Sequence, residues 1–302
     1  MKIRGVLSYT ELDLGGQSIY IFGERHTSTV PSKEECPDSM TFLDFIDMFE
    51  QQRQKLHIFV ENPYCKDSLS QNPRLAHIPA KFKNGNISDL KRNYSECMWG
   101  TSSKCSLQST KIVPSDIRNS KGESSQGLEF LLITGPLLVV HDELKLGKQP
   151  SQLPKSVYEF LRNPATFLYN LITQSSKGSI LSPLYVKLQQ QRLITAQMLR
   201  DALDISQQYY DKEYKQQRHA FMMSLQKDIV FNMLCSYGSM LMDIFIFMKV
   251  LELHPTAGIE SVAILVGDFH AALYKQMFVD VLHATIQMQA VETHSEECLT
   301  IA

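Results

Sequence analysis

Ser18-Ile19-Tyr20-Ile21-Phe22-Gly23-Glu24-Arg25-His26 is an apolar run that halts on a glycine, an acid and a histidine. A second stretch follows the same plan near the other end of the chain, Ser261-Val262-Ala263-Ile264-Leu265-Val266-Gly267-Asp268-Phe269-His270. Both runs have the length and β-branched content of a strand. A glycine at the strand end permits a sharp turn that a Cβ would obstruct. With 14 glycines and 9 histidines in 302 residues, chance supplies about 0.4 Gly-x-x-His spacings. Two occur, each at a predicted strand end and each with an acid after the glycine. In an open α/β sheet the loops at strand ends gather into a site, so the two motifs predict two halves of one polar site.

Working outward, Ile3 to Tyr9 reads as a further strand and Leu14-Gly15-Gly16-Gln17 as a turn. Thr41 to Gln54 sets Phe42, Phe45, Ile46 and Phe49 at helical spacing. A short strand from Leu56 to Val60 follows and opens into a loop at Glu61. Strand, helix, strand is the pattern of a parallel βαβ unit. Residues 66–108 form a long polar excursion, a length that suits a lid or a substrate wall. Lys111 to Pro114 is another apolar stretch, ending at Asp116-Ile117-Arg118, and Ser120 to Gln126 reads as a junction. Helical periodicity runs through Leu128 to Leu146, Ser156 to Thr173, Pro183 to Tyr210 and Arg218 to Leu253. Strand, helix and strand return at Ser261 to Val266, Ala271 to Leu282 and Thr285 to Val291. The fold class is therefore α/β: a central, mostly parallel sheet flanked by helices, with a large helical insertion as a cap or layer over the strand ends. One domain, 1–302, divides into an N-terminal α/β half (1–126), the helical insertion (127–253) and a C-terminal completion of the core (254–302).

A net charge of −2, from 30 basic and 32 acidic residues, gives no electrostatic pull toward nucleic acid, and none is expected as a partner. The start of the chain lacks a secretory signal's apolar region. Ile229 to Met242 and Ile244 to Met248 are apolar, but Asp243 splits them and Asn232 lies inside, which suits a buried helix better than a membrane span. Asp243 is then expected to meet a basic partner. Six cysteines at irregular spacing predict free thiols and a cytoplasmic protein.

Four strand ends deliver Glu24, His26, Glu61, Asp116, Arg118, Asp268 and His270 toward one edge of the sheet. Histidine serves as base or metal ligand near neutral pH, and a carboxylate orients it or shares the metal. Arginine holds a substrate carboxylate or a developing oxyanion. No GxSxG, HExxH or glycine-rich phosphate loop is present.

Paired GxxH motifs bracketing a helical middle, with Glu61 after a strand between them, resemble the superfamily of TIKI and TraB/PrgY proteins with ChaN-like and erythromycin-esterase-like proteins. The resemblance spans most of the chain. It implies an α/β core, an inserted helical region and hydrolysis of a peptide or ester bond, metal-dependent in TIKI-like members, whereas ChaN-like members are associated with haem. Members of the TraB and TIKI type carry an Arg before Asp or Asn ahead of the second motif, where this chain has Lys227-Asp228. Two mechanisms stay open. In one, His26, Glu61 and His270 bind zinc or manganese, Glu24 is general base and Arg118 steadies the oxyanion. In the other, His26 activates water, oriented by Glu61 or Glu24, while His270 stabilises charge. Arg25, Asp116 and Asp268 are candidate substrate-binding residues, and Gly23 and Gly267 structural glycines. The rival reading is a non-catalytic binding protein for haem or a protein partner.

Overall fold

The computed structural model describes residues 2–25, 30–63, 85–98, 105–117, 155–174, 180–223, 227–254, 261–291 and 298–301. The expectations for His26, Arg118, the 120–126 junction, the helix over 128–146 and residues 66–84 and 99–104 of the polar excursion lie outside them. The chain divides into two compact units, one of Met1–Asp116 with Glu252–Ala302 and one of Ile117–Leu251. The first break falls after Asp116, ten residues before the expected start of the helical insertion.

In the first unit, β2 (Ser8–Leu14) and β3 (Gln17–Glu24) form a hairpin. Its two-residue loop, Gly15-Gly16, has φ of 57° and 92°, the positive values that a tight hairpin turn needs. Helix α1 (Phe42–Gln52) starts with a capping box, Thr41 accepting from the Asp44 N–H and Asp44 from the Thr41 N–H. Its buried Phe42 and Phe45 pack on Phe22 of β3 with ring centroids 5.0 Å apart. Strands β5 (Leu56–Pro63), β6 (Thr110–Asp116) and β7 (Ser261–Gly267) complete the parallel core, and β8 (Thr285–Val291) adds to β2. The order is β6-β5-β7-β3-β2-β8, with the first four strands parallel and the last two an antiparallel margin. Strand β7 arrives from the C-terminal part of the chain and slots between β3 and β5. It is buried from Val262 to Gly267, which explains its unbroken apolar sequence.

A second sheet joins β1 (Lys2–Arg4), β4 (Ser39–Met40) and β9 (Cys298–Thr300). The run read as one strand from Ile3 to Tyr9 is therefore two, in different sheets. Gly5, at φ 73°, turns the chain between them where other residues are strained. Helix α2 (Asn86–Tyr94) lies inside the polar excursion, a helix that composition does not announce. The excursion also holds a disulfide, Cys97–Cys105, and a second, Cys36–Cys298, ties β9 to the segment before β4. These four cysteines are paired, correcting the expectation of free thiols. Their Cα separations of 5.8 and 4.8 Å lie within disulfide reach. Sequence spacing could not reveal a pair that only the folded chain brings together.

The second unit is helical. Helices α3 (Lys155–Arg162) and α4 (Pro164–Thr173) divide at Asn163, whose side chain caps α4 by accepting the Thr166 N–H at 3.0 Å. Then come α5 (Leu181–Gln190), α6 (Ala196–Glu213), α7 (Lys215–Met223), α8 (Lys227–Gly238) and α9 (Met240–Leu253). The long apolar stretch is thus two helices with a turn at Ser239. Among the described residues, no helix is long and apolar enough to cross a membrane. Asp243 is fully buried and accepts the Tyr210 hydroxyl at 2.8 Å. The hydroxyl serves the need of a buried carboxylate for hydrogen bonds.

Candidate functional site

Strand order brings the two motifs together. Gly23 on β3 is level with Val266 on β7, and Glu24 with Gly267. On the other side of β7, Val60 of β5 is level with Leu265. The second motif therefore lies between the ends of β3 and β5, offset by one residue from the first. Because successive strand residues face opposite sides of a sheet, Gly23 and Glu24 work on different faces.

Gly23 faces helix α10 (Asp268–Leu282), which starts directly after β7. A Cβ at this position would stand 2.8 Å from Asp268 Cα and 2.6 Å from its Oδ1, closer than real side chains approach. The glycine is thus required by close packing of strand against helix. Asp268 is the first residue of α10, where a negative charge meets the positive end of the helix dipole. Its Oδ1 accepts the Ser8 hydroxyl. Gly267, at φ −60° and ψ 147°, has a backbone conformation open to any residue.

Glu24 turns to the other face and is buried, 3% exposed. Its Oε2 accepts the Asn86 N–H at 2.9 Å and the Ile87 N–H at 3.4 Å, at the start of α2. Gly85, the residue before that helix, has φ 120° and supplies no side-chain cap, so Glu24 serves as the cap from across the fold. The buried Asn86 side chain donates to the Gly5 carbonyl at 2.9 Å and to that of Arg4 at 3.3 Å. The carboxylate expected to serve as general base thus also caps a helix, one of its oxygens accepting two backbone N–H groups.

Glu61 and His270 are the pair that meets. Glu61 Oε2 accepts the Gly267 N–H at 3.1 Å, and Oε1 stands 3.9 Å from His270 Nε2. Their side chains are 14% and 11% exposed. His270 sits in the first turn of α10, with its ring against Phe269 and, at 6.5 Å between centroids, Tyr274. A separation of 3.9 Å is too long for a direct hydrogen bond and leaves the two polar atoms able to share a third. Both strand-end glutamates thus serve helix starts, Glu24 at α2 and Glu61 at α10, and Glu61 has the His270 imidazole beside it.

Arg25 is exposed just past β3, and Asp116 ends β6 with its backbone level with Pro63. Among the described residues, no group of three His, Cys, Asp or Glu side chains is placed to hold a metal. Ser8, Gly85 and Asn86 are participants the motifs do not announce. Ser8 is foreshadowed only by its pairing opposite Gly23 in the hairpin. Compared with known proteins, the chain matches no family model, no curated protein and no solved structure.

Proposed function

We propose that the chain is a hydrolase of an ester or peptide bond, working at the ends of β5 and β7 through Glu61 and His270. The observation that carries this reading is the Glu61 carboxylate, fixed at one oxygen by the Gly267 N–H and set at the other 3.9 Å from His270 Nε2. A carboxylate so pinned has a defined direction, which a general acid–base pair needs. Water held between Oε1 and Nε2 would lose a proton to the pair as its oxygen attacks the carbonyl carbon. The pair would then return that proton to the leaving oxygen or nitrogen. Arg118 is the proposed partner of the developing oxyanion, with Arg25 and Asp116 proposed for the substrate.

The nitrogen and oxygen donors of His270 and Glu61 also suit a divalent ion, zinc or manganese, with His26 as the third proposed ligand. Such an ion would supply a water of lowered pKa. Asp268 and Glu24 are assigned to packing and capping instead. Paired cysteines persist in oxidising surroundings, so the reaction is proposed for such a compartment in place of the cytoplasm.

The test is a panel of esters and short peptides assayed with the wild type, Glu61→Gln, His270→Ala and His26→Ala, with metal content measured on each. Hydrolysis lost in Glu61→Gln and His270→Ala supports the proposal. Hydrolysis by the wild type that survives both substitutions overturns it. No turnover by the wild type, together with a haem Soret band that His270→Ala abolishes, favours the binding reading.

A further inference from the structure

Two Asn-x-Ser triplets stand in the sequence, Asn86-Ile87-Ser88 and Asn93-Tyr94-Ser95, neither with a proline in the middle. An oligosaccharyltransferase reads this pattern on exported chains, in the compartment where disulfides form. Both triplets begin on α2, and the fold treats them differently. Asn86 is 1% exposed, and its Nδ2 donates to the carbonyls of Gly5 and Arg4. A sugar on that nitrogen has no room, since even a Cβ added at Gly5 would stand 2.8 Å from it. Asn93 lies in the last turn of the same helix and is exposed, as is Ser95. Its Nδ2 donates to the Asp89 carbonyl at 2.8 Å along the helix surface, and attachment of a sugar leaves one N–H on that nitrogen. Cys97, two residues past this triplet, is bonded to Cys105, and Cys36 to Cys298. The two bridges call for the same oxidising compartment as the transferase.

We infer that Asn93 carries an N-linked oligosaccharide and that Asn86 does not. The inference rests on the oxidising compartment proposed above and is independent of hydrolysis. The donor is an oligosaccharide on a polyprenyl diphosphate. Asn93 Nδ2 forms a bond to C1 of the first sugar, the bond from C1 to the diphosphate oxygen breaks, and Nδ2 gives up a proton. The diphosphate leaves with its electron pair. The sugar is bulky and hydrated, and it stands in solvent at the C-terminal end of α2 beside the Cys97–Cys105 bridge. A chain modified at Asn86 instead could not bury that side chain, and it would lose the two bonds that tie the start of α2 to the turn at Gly5.

Peptide mapping by mass spectrometry tests this on the full chain from its native source, before and after treatment with a peptide N-glycosidase. That enzyme removes the sugar and converts its asparagine to aspartate, which marks the site. Expected are a loss of mass from the whole protein and the mark at position 93, with position 86 unmarked. Variants made in a secreting eukaryotic host give a second readout. Asn93→Gln and Ser95→Ala should each abolish the glycosidase-sensitive gel shift, and Ser88→Ala, which keeps the Asn86 side chain in place, should retain it. A native protein without sugar overturns the inference, as does a mark at position 86 or a shift that survives Ser95→Ala. Alkylation of free thiols in the same native sample separates the two readings. Paired cysteines without sugar refute the glycan alone, and free cysteines without sugar refute the compartment as well.

Discussion

Glu61 joins two parts of the second motif at once, holding the Gly267 N–H at 3.1 Å with one oxygen and facing His270 Nε2 at 3.9 Å with the other. Glu61→Gln keeps an oxygen for Gly267 but removes the charge beside the imidazole. Its unfolding midpoint in urea is expected to fall by less than about 1 kcal/mol equivalent, while hydrolysis falls about 10²- to 10⁴-fold. A loss of stability that accounts for the loss of rate would make Glu61 a cap alone.

Glu24→Gln gives the contrasting result. Its carboxylate accepts two N–H groups at the start of α2. Glu24→Ala is expected to cost about 1–3 kcal/mol by leaving buried donors unmet, and Glu24→Gln less, because an acceptor oxygen remains. Both should speed hydrogen exchange at residues 86–90. Glu24→Gln should keep its hydrolytic rate, and a loss there without loss of stability would return Glu24 to the chemistry.

Gly23→Ala is expected to destabilise by about 1–3 kcal/mol through overpacking. Ser8→Ala added to it should not restore stability, because the Asp268 Cα, 2.8 Å from the new methyl, belongs to the backbone and cannot swing aside. Chemical denaturation of the single and double variants separates a rigid obstacle from a movable one. Full rescue by Ser8→Ala would show that the hydroxyl was the obstacle.

Glu50 pins the approach to β6, accepting the N–H groups of Gln108 and Ser109 at 2.9 Å each. Burial pulls its pKa upward, but hydrogen bonds from Gln108, Thr110 and Ser109 outweigh that and hold it below the ordinary glutamate value. A depressed carboxylate contributes stability that is full above the unfolded pKa, about 4.3, and is lost as pH falls through the folded one. Wild type should thus exceed Glu50→Gln in thermal stability near neutrality, with the gap closing as pH drops below about 4. A gap independent of pH would exclude the charge as its origin.

The parallel core was legible because its chemistry is local. Uninterrupted apolar runs at Ile19 to Phe22 and Val262 to Val266 mark strands buried on both faces, and the Phe42, Phe45, Phe49 spacing marks the helix packed on them. Helix α2 was not legible, because its fully buried positions are just Asn86 and Leu90 and its cap comes from Glu24, 62 residues away. The site was half legible. Motif spacing foretold that Glu61 and His270 share one sheet edge, but not the one-residue offset between β3 and β7 that sends Gly23 and Glu24 to opposite faces. Nor could two carboxylates be assigned to helix starts before the helices were known.

Cys36 and Cys298 lie 262 positions apart, so their bond closes nearly the whole polypeptide, the helical unit included, into one covalent ring. A protease that cuts a single peptide bond anywhere within that ring opens it without releasing a fragment. Limited digestion should therefore leave one band of full mass on a non-reducing gel and two smaller bands once thiol is added. In surroundings rich in proteases, the molecule can be cut once and still refold as a single entity, because its pieces never drift apart.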